Sequence, residues 1–341
     1  MGDRVSAALG LPFELSFASY AELESRPPCD AAILGAIAFG RHPPEGFGGA
    51  AFPFAWIDMP TLRGEGFCEI WESAEPIERV ELHGVRAAHN QHVVFGALEI
   101  PEAAGMETAG RHAYDRVFDA IDALGFPYLL RAWNYFPAIN QLADGIERYR
   151  RFNVGRHEAF VAHGRAIGAD MPAASALGCR DGPLTVYFIA GAARGRPVEN
   201  PRQVSAYRYP ERYGPRTPTF SRAMLIEPDG ARALAISGTA SIVGHETRHA
   251  GDAAEQIEET LANLRAVMDA GGYAVAPAAA AGAGLLLKAY LRRAGDLSVV
   301  ESALQRTFGK AEVIYLNADI CRSDLLVEIE GLYSACEPAE V

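Results

Sequence analysis

Apolar positions along the chain follow two periods. Ala31–Phe39, Phe67–Trp71, Val93–Ile100, Tyr128–Phe136 and Leu184–Ala190 are short apolar runs bounded by turn residues, which predicts strands. Between them, Thr108–Leu124 repeats Val117, Ile121 and Leu124 at helical spacing and stops at Gly125, and Ile146–His163 reads as a second helix. The C-terminal part runs in the same order. Strand Ala233–Ser237 precedes helix Ala253–Ala270, strand Leu285–Arg292, helix Leu297–Phe308, and strands Ala311–Asn317 and Leu325–Glu330. The middle strands of the two halves look alike, YLLRAWNY at 128–135 beside GLLLKAYL at 284–291. The expectation is an α+β fold with α/β-type layers, mixed sheets with helices on one face, and an internal duplication, although any α/β chain shows this alternation. The chain divides into a mainly β part at 1–125 and a core at 126–341.

Composition narrows the function. Of 341 residues, 49% are hydrophobic and 22% charged, so a sizeable core is available. The net charge of -12 argues against nucleic acid as a partner, because phosphate neutralisation needs a basic surface. It leaves room for a small acidic substrate, which responds to a local pocket rather than to total charge. Cys29, Cys68, Cys179, Cys321 and Cys336 are odd in number and lack CxxC spacing, which speaks against a disulfide framework or a cysteine zinc site. The N-terminus has no basic segment followed by an apolar run. The apolar stretch from Tyr273 to Tyr290 is Ala/Gly-rich and broken by Pro277 and Lys288, a poor membrane span. These features point to a cytoplasmic, reducing setting with no membrane partner.

Candidate chemistry gathers near the C-terminus. SGTASIVG at 237–244 follows a strand, and its small residues leave backbone amides open to a ligand; a tight strand-end turn is the plainer reading. HETRH at 245–249 matches the His-Glu-x-x-His zinc pattern, but it follows a Gly-rich turn rather than lying in a helix, and no further His follows it. No metal is expected. No Walker loop or GxGxxG follows a strand, so no nucleotide cofactor is expected either. LLVEIEG at 325–331 carries Glu328 and Glu330 two apart on a strand, hence on one face.

The SGTAS, HAGD, LANL, LLLKAYL and LLVEIEG runs within 233–331 resemble a Rid/YjgF-type domain, a compact unit with helices on one face of a sheet that usually assembles as trimers. A wider set resembles the chorismatase family: RAWNYFPAIN (131–140), DGIERYRRFNVGR (144–156), MPAASALG (171–178), ENPRQVSAYRYPERYGPR (199–216), SGTASIVGHETRH (237–249) and ADICRSDLLVEIEG (318–331). That resemblance implies a Rid-like fold within a longer chain, which reproduces some of the packing of a Rid trimer, and a state of monomer or trimer. It implies cleavage of chorismate to pyruvate and a ring acid without cofactor.

The resemblance also implies site roles. Glu328 is the expected proton donor to the enolpyruvyl methylene, with Glu330 tuning it; paired carboxylates raise one another's proton affinity. The two substrate carboxylates call for cationic clamps, and Arg131, Arg156 and Arg216 lie in the matched motifs. Asn134, Tyr135, Tyr207 and Tyr213 are expected to line the pocket. Cys321 with Gly238 resembles the branch that forms 3-hydroxybenzoate by internal displacement, whereas Ala at both points resembles hydrolases that keep a cyclohexadiene diol. A branch giving both 3- and 4-hydroxybenzoate is a further alternative. So is a Rid-like binder or enamine deaminase, for which Arg322 stands just before the last strand.

Overall fold

The computed structural model describes residues 11–228, 231–273 and 284–334; Cys336 and much of the apolar stretch around Pro277 lie outside them. Three large sheets form, beside two two-stranded hairpins, and one strand order recurs in each large sheet. The first sheet contains β1 (Glu14–Ser19), β2 (Ile33–Gly40), β3 (Phe54–Asp58) and β4 (Gly66–Glu72), in the spatial order β1-β4-β2-β3.

The second sheet contains β5 (Glu78–Leu82), β6 (Val85–His89), β7 (Val93–Ile100), β8 (Tyr128–Pro137), β9 (Ala173–Cys179) and β10 (Leu184–Gly191), with Asp319–Ile320 added at its edge. From one edge it reads β5-β6-β7-β10-β8-β9. The third contains β11 (Arg196–Val198), β12 (Ala223–Ile226), β13 (Ala233–Ala240), β14 (Leu285–Leu291), β15 (Glu312–Asn317) and β16 (Val327–Ser334), ordered β11-β12-β13-β16-β14-β15.

In every large sheet the last of four strands inserts between the first and second, antiparallel to the second, while the second and third run parallel. A parallel pair needs a crossover connection. In the second sheet α3 (Arg148–Ala162) supplies it, and in the third α5 (Leu297–Thr307) does. In the first sheet an irregular loop replaces the helix. The first connection of the unit carries α2 (Met106–Ala123) or α4 (Ala253–Ala270), shortened in the first sheet to α1 (Tyr20–Glu24). The duplication expected from the sequence is therefore a threefold repetition of topology, most complete in the second and third sheets.

The helices of the second and third sheets cover their outer faces, over apolar layers such as Val117, Ile121 and Phe160 in one and Ile257, Leu261 and Leu264 in the other. The inner faces of all three sheets meet in one core containing Phe39, Trp133, Tyr135, Tyr187 and Tyr290. One sheet takes strands from both sides of residue 125, and the third sheet extends before residue 233 through β11 and β12. Among the described residues no helix is long and apolar enough to cross a membrane.

Register fixes equivalent positions. Ile37 pairs with Glu69, Trp133 with Tyr187, and Lys288 with Glu330. Two residues along, Phe39 pairs with Phe67, Tyr135 with Thr185, and Tyr290 with Glu328. Glu328 is thus the position that carries a carboxylate where the other two sheets carry Thr185 and Phe67.

Candidate active site

The edge of the second sheet meets the third at β9 and β13. Ser237 ties them, its hydroxyl accepting from Ala174 N at 2.9 Å and donating to the Ser221 carbonyl at 2.6 Å. Beside this seam lies a cavity lined by side chains from four separate segments of the chain. The start of α3 supplies Glu147, Tyr149 and Arg150; the segment between β11 and β12 supplies Tyr209, Tyr213, Phe220 and Arg222; the turn before β16 supplies Cys321 and Arg322. Gly238 and Glu328 form the floor.

Gly238 lies inside β13 rather than in a turn after it. The strand runs on to Ala240, with a bulge between Ile236 and Thr239. Bulges release one residue from the ladder and often sit beside functional sites. Here the freed Gly238 N donates to Ser175 Oγ at 3.0 Å, and a Cβ at Gly238 would collide with Glu328 Oε1. Glycine is required by close approach, not by a left-handed backbone.

Glu328 is 3% exposed. Burial, reinforced by the negative charge of Glu330, pushes its carboxyl up to about 8. Cys321 Sγ lies 3.8 Å from its Oε2. Burial and the same carboxyl push the Cys321 thiol well above its ordinary value, so it is a neutral thiol. Glu330 faces the same interior but has different neighbours. It pairs with Arg131 and with Lys288 at 2.7 Å, and accepts from Trp133 Nε1 at 2.9 Å, Tyr290 OH at 2.8 Å and Ser175 Oγ. Burial alone would raise its carboxyl; the Lys288 and Arg131 charges outweigh that and hold it below the usual range. Two carboxylates on one strand face are thereby driven apart, one neutral and open to the cavity, one ionised behind it.

The cavity wall is cationic. Arg222 is buried, donates to Tyr209 OH at 2.7 Å and to the Val204 carbonyl at 2.9 Å, and keeps an unpartnered Nε. Arg322 lies over the Tyr213 ring at 4.3 Å, donates to the His245 carbonyl at 2.9 Å, and keeps an unpartnered Nη2. Among the described residues neither has a carboxylate within ion-pair distance. Arg150, by contrast, pairs with Glu147 at 3.3 Å.

Of the residues expected from sequence, Glu328, Cys321, Gly238 and Tyr213 meet at this cavity. Others stand off its wall. Arg131 is bound to Glu330 and Ser175. Asn134 accepts from Tyr114 OH at 2.9 Å and donates to the Ser175 carbonyl, and Tyr135 shares its hydroxyl with Tyr290 at 2.7 Å. Tyr207 packs against the apolar layer of the second sheet, and Arg216 is exposed. Arg156 is buried over the Tyr114 ring at 4.6 Å, with Nε and Nη2 unpartnered. The sequence reading missed Arg222, which lies just outside its matched motifs. His245 and Glu246 lie in a hairpin where Ile242–Val243 pairs with Glu246–Thr247, so HETRH has no helical face.

Residues 69–190 match the family model described as Chorismatase FkbO/Hyg5-like, N-terminal. A chorismatase of Streptomyces rapamycinicus is 42% identical over 82% of this chain and 86% of its own length. The chain belongs to the chorismatase family. It is an enzyme of that family, and its relatives include a protein of Streptomyces hygroscopicus named 3-hydroxybenzoate synthase, 37% identical over 90% of this chain and 93% of that one. A crystal structure of a chorismatase superposes with a TM-score of 0.83 at 34% identity, covering 94% of this chain and 98% of that one.

Proposed function

We propose that the enzyme converts chorismate to 3-hydroxybenzoate and pyruvate without a cofactor, with Glu328 as the general acid. The observation that carries this reading is a neutral carboxyl, raised to about 8, at the floor of an arginine-walled cavity. Arg222 and Arg322 are the candidate clamps for the two substrate carboxylates, since both line the cavity and neither is committed to a carboxylate among the described residues. Arg156, buried behind the cavity wall, is not a direct clamp in this arrangement.

The chemistry closes on one residue. Glu328 gives its proton to the enolpyruvyl methylene, which makes the side chain a leaving group. The neighbouring ring hydroxyl attacks the carbon bearing that side chain, the ring C–O bond breaks, and pyruvate departs with the oxygen as its ketone. The Glu328 carboxylate takes the proton released by the attacking hydroxyl. The resulting epoxide opens and aromatises to 3-hydroxybenzoate. Substrate and products are isomeric, so no water enters. In the hydrolytic alternative, water adds to the protonated side chain and both ring oxygens are retained.

Cys321 and Gly238 support the first route. The thiol presents an apolar, neutral surface beside Glu328, where a hydroxyl or a void would favour an ordered water. The relative named 3-hydroxybenzoate synthase points the same way. The test is Glu328→Gln: pyruvate release should fall by about 10²- to 10⁴-fold. Near-full activity removes Glu328 from this role.

A further inference from the structure

Behind Glu328, the three sheets bring four buried charges together: Glu69 from β4, Arg131 from β8, and Lys288 and Glu330 from β14 and β16. Lys288 Nζ lies 2.8 Å from Glu69 Oε1 and 2.7 Å from Glu330 Oε1, and donates to Tyr187 OH at 2.8 Å. Tyr187 in turn donates to Glu69 Oε2 at 2.5 Å. Glu69, Tyr187 and Glu330 occupy the same register position in the last strand of each repeat. Lys288 therefore stands where three equivalent positions converge.

Two acidic and two basic side chains make up this cluster, so its formal charges cancel. Each cation has an acid: Arg131 serves Glu330, and Lys288 is divided between Glu330 and Glu69. The division matters for Glu328, which sits two residues from Glu330 on the same strand face. Other charged or titratable groups around Glu328 are Cys321 before β16, Arg222, Arg322, Tyr209 and Tyr213 on the cavity wall, Glu147, Tyr149 and Arg150 at the start of α3, Tyr290 across the ladder and Arg131 beyond Glu330.

We propose that Glu69, in the first sheet and off the cavity wall, is a positioning residue for the reaction: by engaging Lys288 it prevents a net positive charge behind Glu328 and so keeps the catalytic proton in place. This rests on Glu328 being the acid. Removing the Glu69 charge acts twice in one direction. It leaves the cluster with one uncompensated cation, and it releases Lys288 wholly to Glu330, screening the charge that raises the affinity of Glu328 for its proton. Both lower that affinity in a poorly screened interior. The first sheet thus contributes to the chemistry by balancing charge.

The experiment is the pH profile of kcat for pyruvate release in Glu69→Gln, in Glu69→Asp, and in Glu69→Gln combined with Lys288→Met. Glu69→Gln should move the basic limb down by about one pH unit, with kcat below the limb within about twofold of the parent; Glu69→Asp should move it less, in the same direction. The double variant replaces a buried pair by neutral groups, a change that folded proteins tolerate well, and should return the limb to its original place. A limb unmoved in Glu69→Gln overturns the proposal, as does a double variant that stays shifted. If Glu69→Gln does not fold, an unmoved limb in Glu69→Asp has the same force. Failure here with an inactive Glu328→Gln sinks only this inference, whereas an active Glu328→Gln sinks the reading beneath it.

Discussion

Gly238→Ala is the smallest change that tests the geometry of the site. Its added methyl would stand 2.8 Å from Glu328 Cδ and 3.3 Å from Ser175 Oγ, and closer still to Glu328 Oε1. Ordinary carbon contact begins at about 3.5 Å, so the carboxyl must retreat by roughly an ångström. The Ser175 side cannot give, because its hydroxyl is held by Arg131 at 2.7 Å and by Gly238 N at 3.0 Å. The remaining direction is toward Cys321, whose sulfur already lies 3.8 Å from Oε2. A displacement of about 1 Å at a catalytic group costs on the order of 10²-fold in rate, or about 2.7 kcal/mol in the barrier. Cys321→Ala vacates the space into which the carboxyl is pushed. Gly238→Ala should therefore lose about 10²-fold in kcat. Gly238→Ala with Cys321→Ala should recover much of that loss and admit a water, shifting product toward a cyclohexadiene diol. The assay couples pyruvate to lactate dehydrogenase and resolves ring products by chromatography. Parent-like kcat in Gly238→Ala, or a double variant no faster than the single one, would refute the steric reasoning.

The other expectations concern charge and access. Activity requires protonated Glu328, so kcat should fall as pH rises through about 8, a limb that a pH–rate profile places directly. The same carboxyl binds its proton more tightly folded than unfolded, so its contribution to stability is full below its ordinary pKa and is lost as pH rises toward and through about 8. Glu328→Gln should remove up to about 5 kcal/mol of that pH dependence in denaturant unfolding; parallel curves for the two proteins would contradict it. Arg222→Ala and Arg322→Ala should each raise KM by roughly ten- to a hundredfold, from charge-assisted hydrogen bonds worth about 1.5–3 kcal/mol, with a smaller effect on kcat; unchanged KM in both would remove them as clamps. Cys321 should resist iodoacetamide at neutral pH because its thiol is held protonated, while the exposed Cys29 reacts first, as peptide mapping would show.

The regular elements were legible wherever the sequence had a strong period. Val93–Ile100 and Ala253–Ala270 fall where the hydrophobic pattern places them. β1, β3, β5, β6 and β12 were not foreseen: strands of mixed polarity, such as ERVEL at 78–82, give no period that distinguishes them from loops, and the apolar AMLI at 223–226 is only four residues long. MPAASALG was noticed as a motif but not as strand β9, since alanine and serine carry little β preference. The third copy of the repeat was hidden for a related reason: the first sheet keeps the strand order but has only a one-turn helix and a loop in place of the two helices. Spacing alone placed Glu328 and Glu330 on one face, yet their opposite charge states depend on Lys288 and Arg131, which are distant in sequence. The resemblance made an arginine such as Arg131 a natural choice for a substrate carboxylate. Long-range packing instead commits it to Glu330, and puts Arg222 on the cavity wall.

The most direct test is to incubate the purified protein with chorismate, without metal or nucleotide, and resolve the products by chromatography with mass detection. Pyruvate and 3-hydroxybenzoate are expected in equal amounts. A cyclohexadiene diol or a mixture with 4-hydroxybenzoate would contradict the proposed route after protonation, and pyruvate no faster than spontaneous decay would contradict the proposed reaction itself.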